Sequence, residues 1–229
     1  MGRPPSRTGV ETIAEVIDRL RALDASLPEN DGIAWFTKLY LRVTEAVHGE
    51  IAEALGFEDP AFLTRLDVVF ANLYFTALEA PPKAWAPLFE ARRTKGIAPI
   101  QFALAGMNAH INRDLPVALV RTAEERRLDL AEAEPQLADF RRLNALLEKT
   151  EREVKVWFST GFAGIVDVAL GDVDDHIAMW DVARARDSAW VQAETLWALR
   201  RLPELQRRFV ETLDHVVGFA GRGLLVPVE

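Results

Sequence analysis

The sequence contains no cysteine and only four histidines among its 229 residues. The absence of cysteine excludes disulfide bonds, thiolate metal sites and cysteine nucleophiles. Imidazole chemistry must therefore use one of the four histidines, which are His48, His110, His176 and His215. Basic residues are also in deficit, because 27 lysines and arginines against 35 aspartates and glutamates give a net charge of −8. This balance argues against general nucleic-acid binding, which requires a basic surface.

The sequence also lacks a long stretch that is both uncharged and apolar. Its longest uncharged stretch runs from Gly96 to Asn112 and contains Pro99, Asn108 and His110, so it is a poor membrane span. The polar N-terminus has no apolar signal region. We therefore expect a cytoplasmic protein whose partner is a small molecule, with neither a membrane nor a nucleic acid as a partner.

Apolar residues recur at helical spacing along almost the whole chain, whereas strict alternation is hardly seen. Asp31 and Asp59 precede two of these helical segments and are suited to capping them, with Pro60 at the first helical position. The pattern predicts an all-α, single-domain helical bundle of about eight or nine helices. Residues 1–8 are expected to be a flexible N-terminus, residues 9–220 the helical domain and residues 221–229 an apolar extended tail.

The uncharged stretch carries the most informative pair of polar residues. His110 and Asp114 are four residues apart, so their side chains can meet on a helix, and Asn108 and Asn112 repeat that spacing. A carboxylate beside an imidazole fixes its tautomer and raises its basicity, as in a general base. Pro116 predicts a kink beside the motif. In a purely structural interpretation, Asp114 caps a new helix and His110 is hydrogen-bonded in the core.

Asp67 places a carboxylate on an otherwise apolar helical face that also carries Phe70 and Tyr74. A buried carboxylate needs a cation or hydrogen-bond donors, and its pKa rises if it lacks them. Asp67 is therefore either paired with a core arginine or part of the site, as a metal ligand or a second acid–base group. Tyr74 either donates to a substrate or packs in the core.

A third polar segment carries Arg184, Arg186 and Asp187, with Trp190 one turn further on. An arginine held there could neutralise Asp67 or bind an anionic group of a substrate. A local ion pair between Arg184 and Asp187 is the alternative.

Three stretches of the chain resemble domain-of-unknown-function family 5995. They are Leu66-Asp-Val-Val-Phe-Ala-Asn-Leu-Tyr74, Gly106-Met-Asn-Ala-His-Ile-Asn-Arg-Asp-Leu-Pro116 and Ala185-Arg-Asp-Ser-Ala-Trp190. The resemblance extends from about Asp31 to Trp197, and the central stretch is the most specific of the three. It implies an all-helical fold and assigns no reaction.

The polar residues are consistent with three functions. The favoured one is a cofactor-free enzyme that uses acid–base catalysis to isomerise or cyclise a small apolar molecule. The second is a hydrolase with a divalent metal held by His110, Asp114 and Asp67. The third is a non-catalytic binding protein. The candidate catalytic residues are His110, Asp114 and Asp67. The candidate substrate-binding residues are Asn108, Asn112, Tyr74, Arg184, Arg186 and Trp190. The sequence leaves the oligomeric state open.

Overall fold

A computed structural model describes residues 9–53, 56–144, 147 and 182–227, and within these ranges it contains helices and no strand. The predicted all-α fold is thereby confirmed, whereas His176 lies outside the described residues. The helices are α1 Ile13–Ser26, α2 Gly32–Glu53, α3 Pro60–Glu79, α4 Ala86–Ala91, α5 Pro99–Ala109, α6 Leu115–Arg126, α7 134–144, α8 Val182–Ala198 and α9 Pro203–Leu224.

The predicted capping residues begin two of these helices. The Asp59 carboxylate accepts a hydrogen bond of 3.0 Å from the backbone N–H of Phe62, and Pro60 occupies the first turn of α3. The Asp31 carboxylate accepts a bond of 2.9 Å from the backbone N–H of Ile33 in α2. Each cap satisfies a backbone donor that has no partner within its own helix.

The last helix is longer than the sequence predicts. The sequence predicts that the helical domain ends at residue 220, yet α9 continues to Leu224. Its end is held in place because the side-chain amide of Gln101 donates to the carbonyls of Leu224 and Val226, at 2.9 and 2.8 Å. The predicted extended tail is correspondingly shorter.

Helices α2 and α3 pack antiparallel at the centre of the core. The ring of Phe36 meets that of Tyr74, with centroids 4.9 Å apart, and Tyr40 meets Phe70 one turn further along, at 6.1 Å. By length and composition alone α3 could cross a membrane, but most of it is buried inside the structure.

Two glycines allow α5 to lie close against α2. A Cβ atom on Gly106 of α5 would clash with the Phe36 ring, and one on Gly32 of α2 would lie 2.5 Å from the Phe102 ring. Each helix thus packs a glycine against a phenylalanine ring of the other. This close packing places the end of α5, where the central polar motif begins, within the aromatic core.

Candidate functional site

The central motif forms a π-helical turn, His110–Asp114, between α5 and α6. The backbone N–H of Leu115 bonds to the carbonyl of His110, five residues back. Pro116 follows directly and has no N–H with which to continue an α-helical ladder. The predicted local distortion is therefore a widened turn, a feature that is frequent at functional sites.

His110 and Asp114 form the predicted pair. His110 Nδ1 lies 3.1 Å from Asp114 Oδ2, and the two residues are only 2% and 0% exposed. Because a carboxylate only accepts hydrogen bonds, Nδ1 is the protonated nitrogen in the neutral ring, and Nε2 carries the free lone pair. Burial lowers the pKa of His110, although the neighbouring Asp114 carboxylate opposes this shift, so the neutral ring is favoured.

Two further residues hold Asp114, and neither is among the site residues predicted from the sequence. Trp85 Nε1 donates to Asp114 Oδ2 at 2.9 Å, and Arg113 Nη1 donates to Oδ1 at 2.8 Å. Arg113 Nε also donates to Asp214 of α9 at 3.0 Å. Asp114 is therefore oriented and neutralised by its neighbours, which leaves neither carboxylate oxygen free.

Aromatic side chains enclose the His110 ring. Phe70 stacks on it with centroids 3.5 Å apart and planes 6° apart. Tyr40 meets it edge-on at 4.7 Å, while Phe36 and Trp85 lie at 5.7 and 5.8 Å. These contacts fix the direction in which Nε2 points.

Four buried polar atoms in this region have no hydrogen-bond partner in the described part of the chain. They are His110 Nε2, Tyr40 Oη, Thr44 Oγ1 and Asp67 Oδ2. The hydroxyls of Thr44 and Tyr40 are neighbours, and the charge of an ionised Asp67 contributes to raising the pKa of Tyr40. Since buried polar groups are almost always paired, these atoms are ones whose partners lie outside the described residues, in bound water or in a ligand.

Asp67 is a partly exposed residue, but its Oδ2 atom is buried. Burial raises the pKa of Asp67 to about 7, against the opposing positive charge of Arg186. Among the residues that the structure describes, no arginine forms a salt bridge with Asp67. Instead, Arg186 Nε donates to Asn144 at 2.5 Å, and its guanidinium lies 4.3 Å from the centre of the Phe140 ring.

Arg186 nevertheless links the third sequence segment to the site. Its charge adds to the lowering of the His110 pKa by burial, and it offsets part of the rise in the Asp67 pKa. The other two residues predicted in that segment differ in burial. Arg184 is exposed, and Trp190 is buried with its Nε1 donating to Glu194 at 3.0 Å.

The two predicted asparagines connect helices. Asn112 donates to Asn108 at 3.0 Å, and Asn108 donates to the carbonyl of Val217 in α9 at 2.9 Å. The hydroxyl of Tyr74 lies 2.7 Å from that of Thr37, which itself donates to a backbone carbonyl. These polar groups are engaged with one another rather than with His110.

The three residues proposed as metal ligands do not form a ligand group. Across the described ranges, no cluster of three or more histidine, aspartate or glutamate side chains is placed to hold a metal ion. His110 Nδ1 and Asp114 bond to each other, and both oxygens of Asp114 already accept hydrogen bonds.

Comparison with known proteins gives one match. The model of a family of unknown function, DUF5995, matches residues 13–227, which include every element described above from α1 to α9. No curated protein and no solved structure shows significant similarity to the chain.

Proposed function

Because the chain belongs to the DUF5995 family of unknown function, we propose its activity from the site itself. His110 is the acid–base group of an enzyme that isomerises or cyclises a small, largely apolar molecule. The observation that carries this proposal is a buried imidazole whose Nδ1 is bonded to Asp114 and whose Nε2 has no hydrogen-bond partner among the residues that the structure describes.

The surroundings of His110 suit proton transfer. When Nε2 accepts a proton from a substrate, the ring becomes an imidazolium ion that the Asp114 carboxylate stabilises. Trp85 and Arg113 keep that carboxylate in place during the transfer. The aromatic walls exclude water and favour an apolar substrate.

The metal-dependent alternative has weaker support, because both oxygens of Asp114 already accept hydrogen bonds and the described residues contain no group of three metal ligands. A non-catalytic binding protein would use the same open atoms to hold its ligand. Turnover distinguishes such a protein from an enzyme.

Proton abstraction is detectable without knowledge of the product. The purified protein is incubated in D2O with a panel of small apolar carbonyl and olefinic compounds, and deuterium incorporation is followed by NMR and mass spectrometry. We expect the wild type to label at least one compound. We expect His110→Gln to label it roughly 100-fold more slowly or worse, because the base is removed.

His215→Gln is the matched control, since His215 is exposed and contacts Lys83 at the surface. It should exchange at the wild-type rate. A folded His110→Gln variant with undiminished exchange would contradict the assignment of the base. A wild type that binds panel compounds without exchanging them would instead identify a binding protein.

A further inference from the structure

We propose that the Tyr40 hydroxyl and the Asp67 carboxyl group together bind one oxygen atom of the substrate, which is therefore a neutral carbonyl compound that reacts through an enolate. This inference rests on the proposed role of His110 as the base, and it deepens that role by naming the substrate class.

The two tyrosines of the chain differ in a way that points to Tyr40. The Tyr74 hydroxyl is paired with Thr37 at 2.7 Å. The buried Tyr40 hydroxyl has the Thr44 hydroxyl beside it, but within the described structure the two do not form a hydrogen bond of normal geometry. The Tyr40 ring meets the His110 ring edge-on at 4.7 Å. Two rings in contact thus each carry a buried polar atom that makes no hydrogen bond of normal geometry within the described residues.

Asp67 supplies the second donor from the neighbouring helix. It lies one turn before Phe70, the residue that stacks on His110, and its open Oδ2 is buried. The pKa of Asp67, raised by burial to about 7, keeps a large fraction of the carboxyl group protonated near neutral pH. Burial raises the pKa of Tyr40 well above its ordinary value of 10, although contact with the Thr44 hydroxyl opposes this shift, so the Tyr40 proton is retained.

Two O–H donors of this kind recognise an oxygen acceptor on the substrate. The nearby cations are already engaged, since Arg113 bonds to Asp114 and Asp214 and Arg186 bonds to Asn144. With these cations engaged, the aromatic surroundings favour a neutral molecule over a carboxylate or a phosphate. A carbonyl group meets both requirements.

The same arrangement completes a balanced reaction. His110 Nε2 removes a proton from the carbon next to the carbonyl. The electron pair of that C–H bond forms a carbon–carbon double bond, and the carbonyl π pair moves to oxygen, where Tyr40 and Asp67 donate hydrogen bonds. When the substrate carries a carbon–carbon double bond at the β,γ position, the enolate is a dienolate. The imidazolium then returns its proton to the γ carbon as the double bond moves to the α,β position. The carbonyl and the neutral imidazole are restored, and no co-reactant is required.

Binding of an enol mimic tests the oxygen site independently of turnover. The probes are 4-fluorophenol, which carries the required hydroxyl, and fluorobenzene, which lacks it, both titrated into the full chain by ¹⁹F NMR. We expect the wild type to bind 4-fluorophenol roughly tenfold more tightly than fluorobenzene. Tyr40→Phe should abolish this preference. Tyr74→Phe is the matched control and should retain it, because the Tyr74 hydroxyl is already paired.

Equal affinity of the wild type for the two probes, or binding of neither, would overturn the inference without requiring any variant to fold. A folded Tyr40→Phe protein that keeps the preference would overturn it as well. These results leave the deuterium-exchange test of His110 unaffected, so failure of the oxygen site is distinguishable from failure of the proposed base.

Discussion

A buried histidine serves as a structural residue or as a base, and its second ring nitrogen distinguishes the two roles. A structural imidazole has partners for both nitrogens, because an unpaired buried polar group costs about 1–3 kcal/mol. In His110, Asp114 occupies Nδ1 and Nε2 has no partner in the described structure. The two tyrosines differ in the same way. The Tyr74 hydroxyl is bonded to Thr37, whereas the Tyr40 hydroxyl makes no hydrogen bond of normal geometry within the described structure.

The pKa shifts of His110 and Asp67 predict the pH dependence of exchange. Burial lowers the pKa of His110 below its ordinary value of 6.5, so the base stays neutral until the pH falls below that value. Asp67 donates only while protonated, and its pKa is about 7. We expect the exchange rate to fall on the acid side as His110 gains a proton and on the alkaline side as Asp67 loses one.

The Asp67→Asn variant tests whether Asp67 causes the decline of the exchange rate at alkaline pH, the alkaline limb of the pH–rate profile. Its amide keeps a hydrogen-bond donor that does not titrate, so the variant should keep the acid limb and lose the decline near pH 7. Rate profiles of the two proteins between pH 4 and 9 provide the measurement. An alkaline limb that persists unchanged in Asp67→Asn would assign that limb to another group.

Asp67→Asn should also change stability in a pH-dependent manner. The pKa of Asp67 is raised from 3.8 to about 7 on folding, so its contribution to stability is fully present below the unfolded value and is lost as the pH rises through the folded value. Relative to the wild type, the variant should therefore gain stability between these two pH values, by at most about 1.4 kcal/mol per pH unit. Urea unfolding at pH 4, 5.5 and 8 measures the gain.

Glu79→Gln is the control for this stability change, because Glu79 is exposed at the end of the same helix. It should show a much smaller dependence on pH. A constant difference between Asp67→Asn and the wild type across the range would mean that burial does not penalise the Asp67 charge.

At the scale of elements, the helices could be predicted because their signals are local. Apolar periodicity and caps such as Asp59 depend on residues a few positions apart, and so does the contact of His110 with Asp114. Arg113 could not be predicted to bind Asp114, because adjacent residues on an ideal α-helix point about 100° apart. In the structure the Arg113 side chain nevertheless reaches the Asp114 carboxylate within the π-helical turn, and Trp85 reaches the same carboxylate from outside the motif.

The close approach of α5 to α2 leads to a prediction about Gly106. A methyl group at this position would clash with the Phe36 ring, which lies 5.7 Å from that of His110. We expect Gly106→Ala to destabilise the fold by about 1–3 kcal/mol through overpacking. Urea unfolding monitored by circular dichroism measures the change.

Gly49→Ala provides the comparison for Gly106→Ala. Gly49 lies within α2, and a Cβ there would meet nothing within 4 Å. The gain in helix propensity should stabilise this variant by up to about 1 kcal/mol. Equal effects of the two substitutions would show that α5 can move away from α2 without cost.

At the scale of the whole molecule, the site joins the middle of the chain to its C-terminal helix. Arg113 and Asp214 are 101 residues apart in sequence, Asn108 and Val217 are 109 apart, and Gln101 and Leu224 are 123 apart. No local pattern specifies such pairs, since they depend on which helices become neighbours. This is why the His110–Asp114 pair was predictable and the residues that orient it were not.

Arg113 connects the packing of α9 to the candidate site. Its side chain is 15% exposed, and it bonds to both the buried Asp114 and Asp214 of α9. Arg113→Met should remove the cation that neutralises Asp114 and cost about 3–5 kcal/mol. Arg207→Met is the control, because Arg207 also bonds to two carboxylates but is 56% exposed, so its loss should cost about 1 kcal/mol or less.

Urea unfolding followed by both circular dichroism and tryptophan fluorescence tests this prediction. If α9 and the His110 site belong to one cooperative unit, the two signals should shift together in Arg113→Met. Separate transitions would show that α9 detaches before the core unfolds. Equal losses in the free energy of unfolding for Arg113→Met and Arg207→Met would contradict the view that Arg113 neutralises a buried charge. They would also contradict the inference that packing of α9 orients Asp114 behind His110.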